Sequence, residues 1–217
     1  MMKIKTLNRS AIIISGGLSK RFGKNKSLFE VLGKPLITYV IHEINQIVDE
    51  VIVVVASEEQ KKALTNLVSS SVRIIIDEYT LRSPMVGALT GFKYALGEYS
   101  LLLPCDTPLI SRKVISLLFQ IAHGLEAVIP KWPNNYIEPL QAVYKTKVAY
   151  KSSLEAIKSK KMRMKNMIIQ MKNILYISTT IIQNLDPTFN TFLNINTPED
   201  LKRIEKKLVD LSNIDRV

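Results

Sequence analysis

The chain has a single cysteine, Cys105, so no disulfide can form within it, and no cluster of Cys and His has zinc spacing. No apolar run approaches the roughly 20 residues that span a bilayer. The basic start, Lys3, Lys5 and Arg9, leads into only a short apolar stretch (11–14) before Ser15-Gly16-Gly17, too little for a secretory leader. These absences predict a cytoplasmic protein that keeps away from membranes. Catalytic signatures are missing too: there is no G-x-S-x-G elbow, no G-x-x-x-x-G-K-[ST] loop and no G-x-G-x-x-G fingerprint. Without linkers, repeats or low-complexity tracts, residues 1–217 are expected to form one domain. Acidic residues are scarce, 19 against 30 Lys and Arg, for a net charge of +11.

That excess is local. Residues 1–34 hold eight Lys or Arg against Glu30, and residues 145–172 hold nine against Glu155, leaving the remainder slightly acidic. Concentrated positive charge suits a multiply anionic ligand. Nucleic acid is disfavoured as that ligand, because the basic stretches lack interleaved aromatics and no helix-turn-helix, RRM or zinc-finger pattern occurs. For 145–172 a merely solvated basic face stays open.

What the chain does contain is an alternation of apolar runs with longer amphipathic segments, which predicts an α/β fold with a mainly parallel mixed sheet. Strands are expected at 11–14, 51–55, 72–76, 100–103, 126–129, 139–144, 174–177 and 192–195. Crossover helices are expected at 35–47, 58–68, 85–96 and 112–122, with Ser57 and Ser111 as caps. Thr197-Pro198-Glu199-Asp200 opens a last helix running to about residue 208.

The richest stretch is 12–28, I-I-I-S-G-G-L-S-K-R-F-G-K-N-K-S-L. An apolar strand enters a Gly-Gly turn and then a loop carrying Lys20, Arg21, Lys24 and Lys26. Gly16 and Gly17 lack Cβ atoms, so the backbone can approach a ligand and turn its N–H groups into an anion cradle. From the residues alone, a phosphate cradle and a purely structural turn are both open. Asp106 follows the run 100–103, so its carboxylate should emerge at the same sheet edge as this loop, where ligands of open α/β sheets bind. It is the best candidate metal ligand; capping the turn before Pro108 is the alternative. Asp77 closes the run 72–76 and reads equally as a ligand contact or a turn residue. Asn194 and Asn196 share one face of an extended segment. His42 and His123 read as structural or surface groups, and Cys105 as a small buried residue.

In order, Gly16, Gly17, Ser19, Arg21, Gly23 and Lys26, then Gly33-Lys34-Pro35-Leu36, Pro84-Met85-Val86-Gly87-Ala88, Cys105-Asp106-Thr107-Pro108, Glu138-Pro139-Leu140 and Asn194 through Leu201, resemble the molybdenum cofactor guanylyltransferases. These are nucleotidyltransferases with a three-layer, Rossmann-like GT-A fold. The resemblance implies transfer of GMP from GTP to molybdopterin phosphate with Mg²⁺ as cofactor, and transient contact with molybdoenzymes or other cofactor-biosynthesis proteins. It implies Lys26, Arg21 and Asp106 as catalytic residues, with Asp106 as metal ligand. Ile14, Ser15, Gly16, Gly17, Lys26, Asp77 and Asp106 would meet the nucleotide. Glu138, Pro139, Arg163, Asn194 and Asn196 would meet the acceptor. A molybdopterin cytidylyltransferase, an adenosylcobinamide-phosphate guanylyltransferase or a non-catalytic cofactor carrier are the alternatives. The chain departs from the family's usual residues at Ser15 (alanine), Phe22 (methionine), Asn25 (aspartate) and Ala56 (asparagine in some members). Lys160 and Lys161 replace a glycine-containing pattern.

Overall fold

A computed structural model describes residues 8–15, 26–79, 81 and 83–214. The chain runs β1 (Arg9–Ile14), a 3-10 turn (Lys26–Leu28), the hairpin β2 (Glu30–Val31) and β3 (Lys34–Pro35), α1 (Leu36–Ile44), β4 (Glu50–Val55), α2 (Glu58–Thr65), β5 (Val72–Ile76), α3 (Pro84–Tyr94) and β6 (Tyr99–Pro104). It continues through α4 (Arg112–Ile121), β7 (Ala127–Lys131), β8 (Ala142–Lys145), α5 (Thr146–Lys158), α6 (Met164–Ile168), β9 (Ile174–Ser178), α7 (Thr179–Ile182), a second 3-10 turn (Asn190–Phe192) and α8 (Pro198–Ile214).

The main sheet has seven strands in the order β5-β4-β1-β6-β8-β7-β9. β8 runs antiparallel to both neighbours, and every other pair is parallel. Strand alternation divides the core in two. Ala11, Ile13, Val53 and Leu103 pack with Ile37, Val40, Val114 and Leu118 of α1 and α4. Ile12, Ile52, Val54 and Leu102 pack with Met85, Phe92, Ala149 and Met167 of α3, α5 and α6. Both faces of the sheet are therefore covered, which is why the central strands are continuous runs of Val, Ile and Leu. This is the three-layer α/β arrangement with a mainly parallel mixed sheet expected from the sequence.

The caps form as expected: Gln60 N donates to Ser57 Oγ (3.3 Å) and Val114 N to Ser111 Oγ (3.4 Å). At α8, Asp200 N donates to Thr197 Oγ1 (3.1 Å) while Thr197 N donates to Asp200 Oδ2 (3.0 Å), a reciprocal capping pair. Two expected strands differ. The run 139–144 becomes strand only from Ala142, because Pro139 has no N–H for a ladder and its carbonyl accepts from Tyr144 Oη (2.8 Å). The run 192–195 is not a strand. Asp186 accepts from Asn190 N (3.0 Å) and Thr191 N (2.7 Å), winding the chain into the 3-10 turn just before it. α8 also runs to Ile214, beyond the expected end.

Candidate active site

All parallel strands release the chain at one edge of the sheet, and antiparallel β8 enters from that same edge. Ser15 N donates to Val54 O (2.8 Å) and Cys105 N to Ile14 O (3.2 Å), so the ladder continues one residue past β1 against β4 and one residue past β6 against β1. Ser15 and Asp106 thus sit on neighbouring strand ends. Gly16, Gly17 and Arg21 lie outside the described residues. Lys26 opens the first 3-10 turn, where Ser27 is buried and Leu28 packs against the α1/α4 core.

Asp106 is buried, only 9% exposed, rather than standing free at the edge. Its carbonyl accepts from Ile195 N (3.0 Å), which draws the 194–196 segment alongside it. Ile195 is buried between exposed Asn194 and Asn196, so the two amides share the outward face beside Asp106. Ser15 is fully buried, and its Oγ has no hydrogen-bond partner among the described residues. An unpaired buried hydroxyl costs about 1–3 kcal/mol, a cost that a bound partner would relieve.

Asp77 lies two strand spacings from β1, roughly 10 Å. Its backbone N donates to Val55 O (2.7 Å), and its Oδ1 accepts from Thr90 Oγ1 (2.7 Å) and, more weakly, from Tyr79 N (3.4 Å). The turn reading of Asp77 is thereby given a concrete form: it ties the end of β5 to α3. Thr90 was not singled out in the sequence, because a lone threonine inside a helix carries no spacing signal.

On the other flank, Glu138 and Pro139 stand between β7 and β8, at the carboxyl edge. Glu138 Oε1 accepts from Trp132 Nε1 (2.7 Å). Burial raises the Glu138 carboxyl above the usual range, while the indole N–H pulls it back down. Trp132 is a second residue that sequence reasoning missed, although it is the sole tryptophan and follows directly on an apolar strand.

Arg163 reaches the same edge by a longer route. β8 ends at the far edge, where Thr146 N donates to Glu98 O (2.9 Å). α5 then spans its 13 residues, about 20 Å, back towards the carboxyl ends. Lys158 at the end of α5, Lys160, Lys161 and Arg163 on the turn that follows, and Lys165 in α6 are all exposed, and Lys160 adopts a left-handed φ of 58°. His42 and His123 are exposed and Cys105 is buried.

Among the described residues, no group of three or more His, Cys, Asp and Glu forms a preassembled metal cluster. One buried carboxylate flanked by amides still fits Mg²⁺, a hard cation that commonly takes one or two carboxylates and completes its shell with waters and substrate phosphates. Among the described residues, no helix is long and apolar enough to cross a membrane.

Comparison with known proteins places the chain in a family. The model of the MobA-like NTP transferase domain matches residues 11–174. The chain belongs to the MobA-like NTP transferase family. It is therefore a nucleotidyltransferase. A protein of Methanosarcina mazei named "Probable molybdenum cofactor guanylyltransferase" is 31% identical over 201 residues, covering 90% of this chain and 89% of the relative. A protein of the same name from Methanosarcina acetivorans is 30% identical over 204 residues, covering 91% and 90%. The solved structure of molybdopterin-guanine dinucleotide biosynthesis protein A from Archaeoglobus fulgidus shares the fold, with a TM-score of 0.79 at 24% identity over 93% of this chain and 99% of that one. Within the MobA-like match lie β1 from Ala11 onward, Asp77, Asp106, Glu138 and Arg163; Asn194 and Asn196 fall beyond it.

Proposed function

We propose that this protein transfers GMP from GTP to the terminal phosphate of molybdenum-loaded molybdopterin, giving the guanine dinucleotide form of the cofactor and pyrophosphate. The reading rests above all on the name shared by two relatives that are 30% and 31% identical over nearly their whole length. In this reaction an acceptor phosphate oxygen bonds to the α-phosphorus of GTP as the bond to the pyrophosphate oxygen breaks. No protein nucleophile is required, so positioning and charge carry the catalysis.

The edge is suited to that division of labour. A nucleotide laid from Asp77 towards Ser15 crosses the span of a nucleoside and brings its phosphates towards Asp106. Following the resemblance, Ile14, Ser15, Gly16 and Gly17 would contribute backbone groups, and Lys26 and Arg21 counter-charge. Asp106 would hold Mg²⁺, which when bound offsets charge on the transferring and leaving phosphates. Glu138, Pro139, Arg163, Asn194 and Asn196 would receive the acceptor. The reaction suits a cytoplasmic setting, with transient delivery of product to molybdoenzymes.

The test is pyrophosphate release from purified protein with Mg²⁺, offering GTP or CTP and either molybdopterin or adenosylcobinamide phosphate. Turnover only with GTP and molybdopterin is expected. Turnover only with CTP, only with the cobinamide acceptor, or GTP binding without any release would each overturn the reading. Lys26→Ala should lower kcat/KM for GTP by about ten- to a hundredfold, the worth of one hydrogen bond to a charged group. Unchanged kinetics would remove Lys26 from the mechanism.

A further inference from the structure

We propose that Trp132 is a positioning residue for the acceptor, setting Glu138 and the Asn194/Asn196 segment at once; this rests on the acceptor reading above. Trp132 follows β7 at the carboxyl edge and faces two pieces of chain that are remote from each other in sequence. Its indole Nε1 donates to Glu138 Oε1 at 2.7 Å. Its ring packs on Phe189, with centroids 5.0 Å apart, and on Phe192, at 5.6 Å and nearly edge-on. Those two phenylalanines bracket the 3-10 turn Asn190–Phe192.

That turn is built to hold a position. Phe189 takes a left-handed φ of 53°, an uncommon conformation for a bulky side chain. Buried Asp186 accepts two backbone N–H groups of the turn, and Thr191 Oγ1 accepts from Ser111 N at 3.1 Å. Shortly after the turn come exposed Asn194 and Asn196, around the Ile195 N–H that bonds the Asp106 carbonyl. A movement of the Trp132 ring would therefore reach both the Glu138 carboxylate and the amides beside Asp106. The nucleotide side, from Asp77 at the end of β5 to Ser15 at the end of β1, is separated from this cluster by β6.

Glu138 supplies the chemistry. Among the described residues it has no cationic partner; its only side-chain hydrogen bond is the one from Trp132. Its carboxylate still has lone pairs to accept from N–H groups, and the aminopyrimidinone edge of a pterin presents adjacent N–H donors. Trp132 fixes the direction in which those lone pairs point.

The experiment measures the dissociation constants of molybdopterin and of GTP separately by calorimetry, with thermal unfolding, for wild type, Trp132→Phe, Glu138→Gln and the double variant. Trp132→Phe keeps a ring against Phe189 and Phe192 but loses the N–H. Glu138→Gln keeps an oxygen for the indole but loses the charge. Trp132→Phe is expected to weaken molybdopterin about tenfold with GTP affinity unchanged, and to lower the thermal midpoint modestly, because the hydrogen bond that is lost lies within the protein. The double variant should bind molybdopterin no more weakly than Glu138→Gln alone, because both changes act through one interaction. Unchanged molybdopterin affinity in Trp132→Phe, or equal weakening of both ligands, overturns the proposal while wild-type binding stands. Failure of wild type to bind molybdopterin at all overturns the functional reading itself, and the proposal with it.

Discussion

Asp106→Asn should lower turnover by about 10²- to 10³-fold, the range seen when one electrostatic contact to a developing charge is removed, while the protein remains folded. The asparagine matches the aspartate in size, which matters because the carboxylate is only 9% exposed. Alanine would be a poorer probe, since it would open a cavity beside buried Ser15 and confuse lost chemistry with lost packing. The backbone bond from Ile195 N to the Asp106 carbonyl does not involve the side chain and should survive. What disappears is the negative charge that would hold a divalent cation against the phosphates. The Mg²⁺ concentration for half-maximal rate should therefore rise together with the fall in kcat. Pyrophosphate release across a Mg²⁺ titration, with thermal unfolding alongside, reads both. Full activity with an unshifted Mg²⁺ curve would return Asp106 to the role of a turn cap.

The parts of this architecture that could be read in advance are those where burial is symmetrical. β4 and β6 are almost wholly buried because helices cover both faces, and their unbroken apolar runs show it. α5 was hidden for the opposite reason. Its buried face is Ala149, Ser152, Ser153 and Ala156, small residues that let it lie against α3, so its lysines dominated the pattern. The position of Asp106 followed from the strand before it, since a residue just past a parallel strand must appear at the carboxyl edge. The burial of Asp106 did not follow, because the covering segment 194–196 returns from far along the chain. Trp132 was invisible for the same reason: Glu138 is a near neighbour in sequence, but Phe189 and Phe192 are brought to it only by the tertiary fold.

Gly91→Val should destabilise the protein by about 3 kcal/mol, at the upper end of the usual cost of overpacking. Gly87 and Gly91 are one helical turn apart and turn the same face of α3 towards β1. A Cβ on Gly91 would stand 2.2 Å from Ile12 Cγ2 and 3.3 Å from Ile12 Cβ; one on Gly87 would stand 3.0 Å from Ile14 Cγ2. Ile12 cannot swing away easily, because Cγ2 branches directly from Cβ and β1 is held between β4 and β6. The helix must move instead, against the small gain in helix propensity that valine brings over glycine. Such a shift would pull Thr90, the preceding residue, away from Asp77 and loosen the end of β5, so GTP affinity should weaken along with stability. Ile12→Ala removes the obstructing methyl, and in that background the penalty of Gly91→Val should shrink by more than independent sites would allow. Chemical denaturation of the four proteins of this cycle measures the coupling. Additive losses would mean that close approach of α3 to β1 is not why glycine stands at 91.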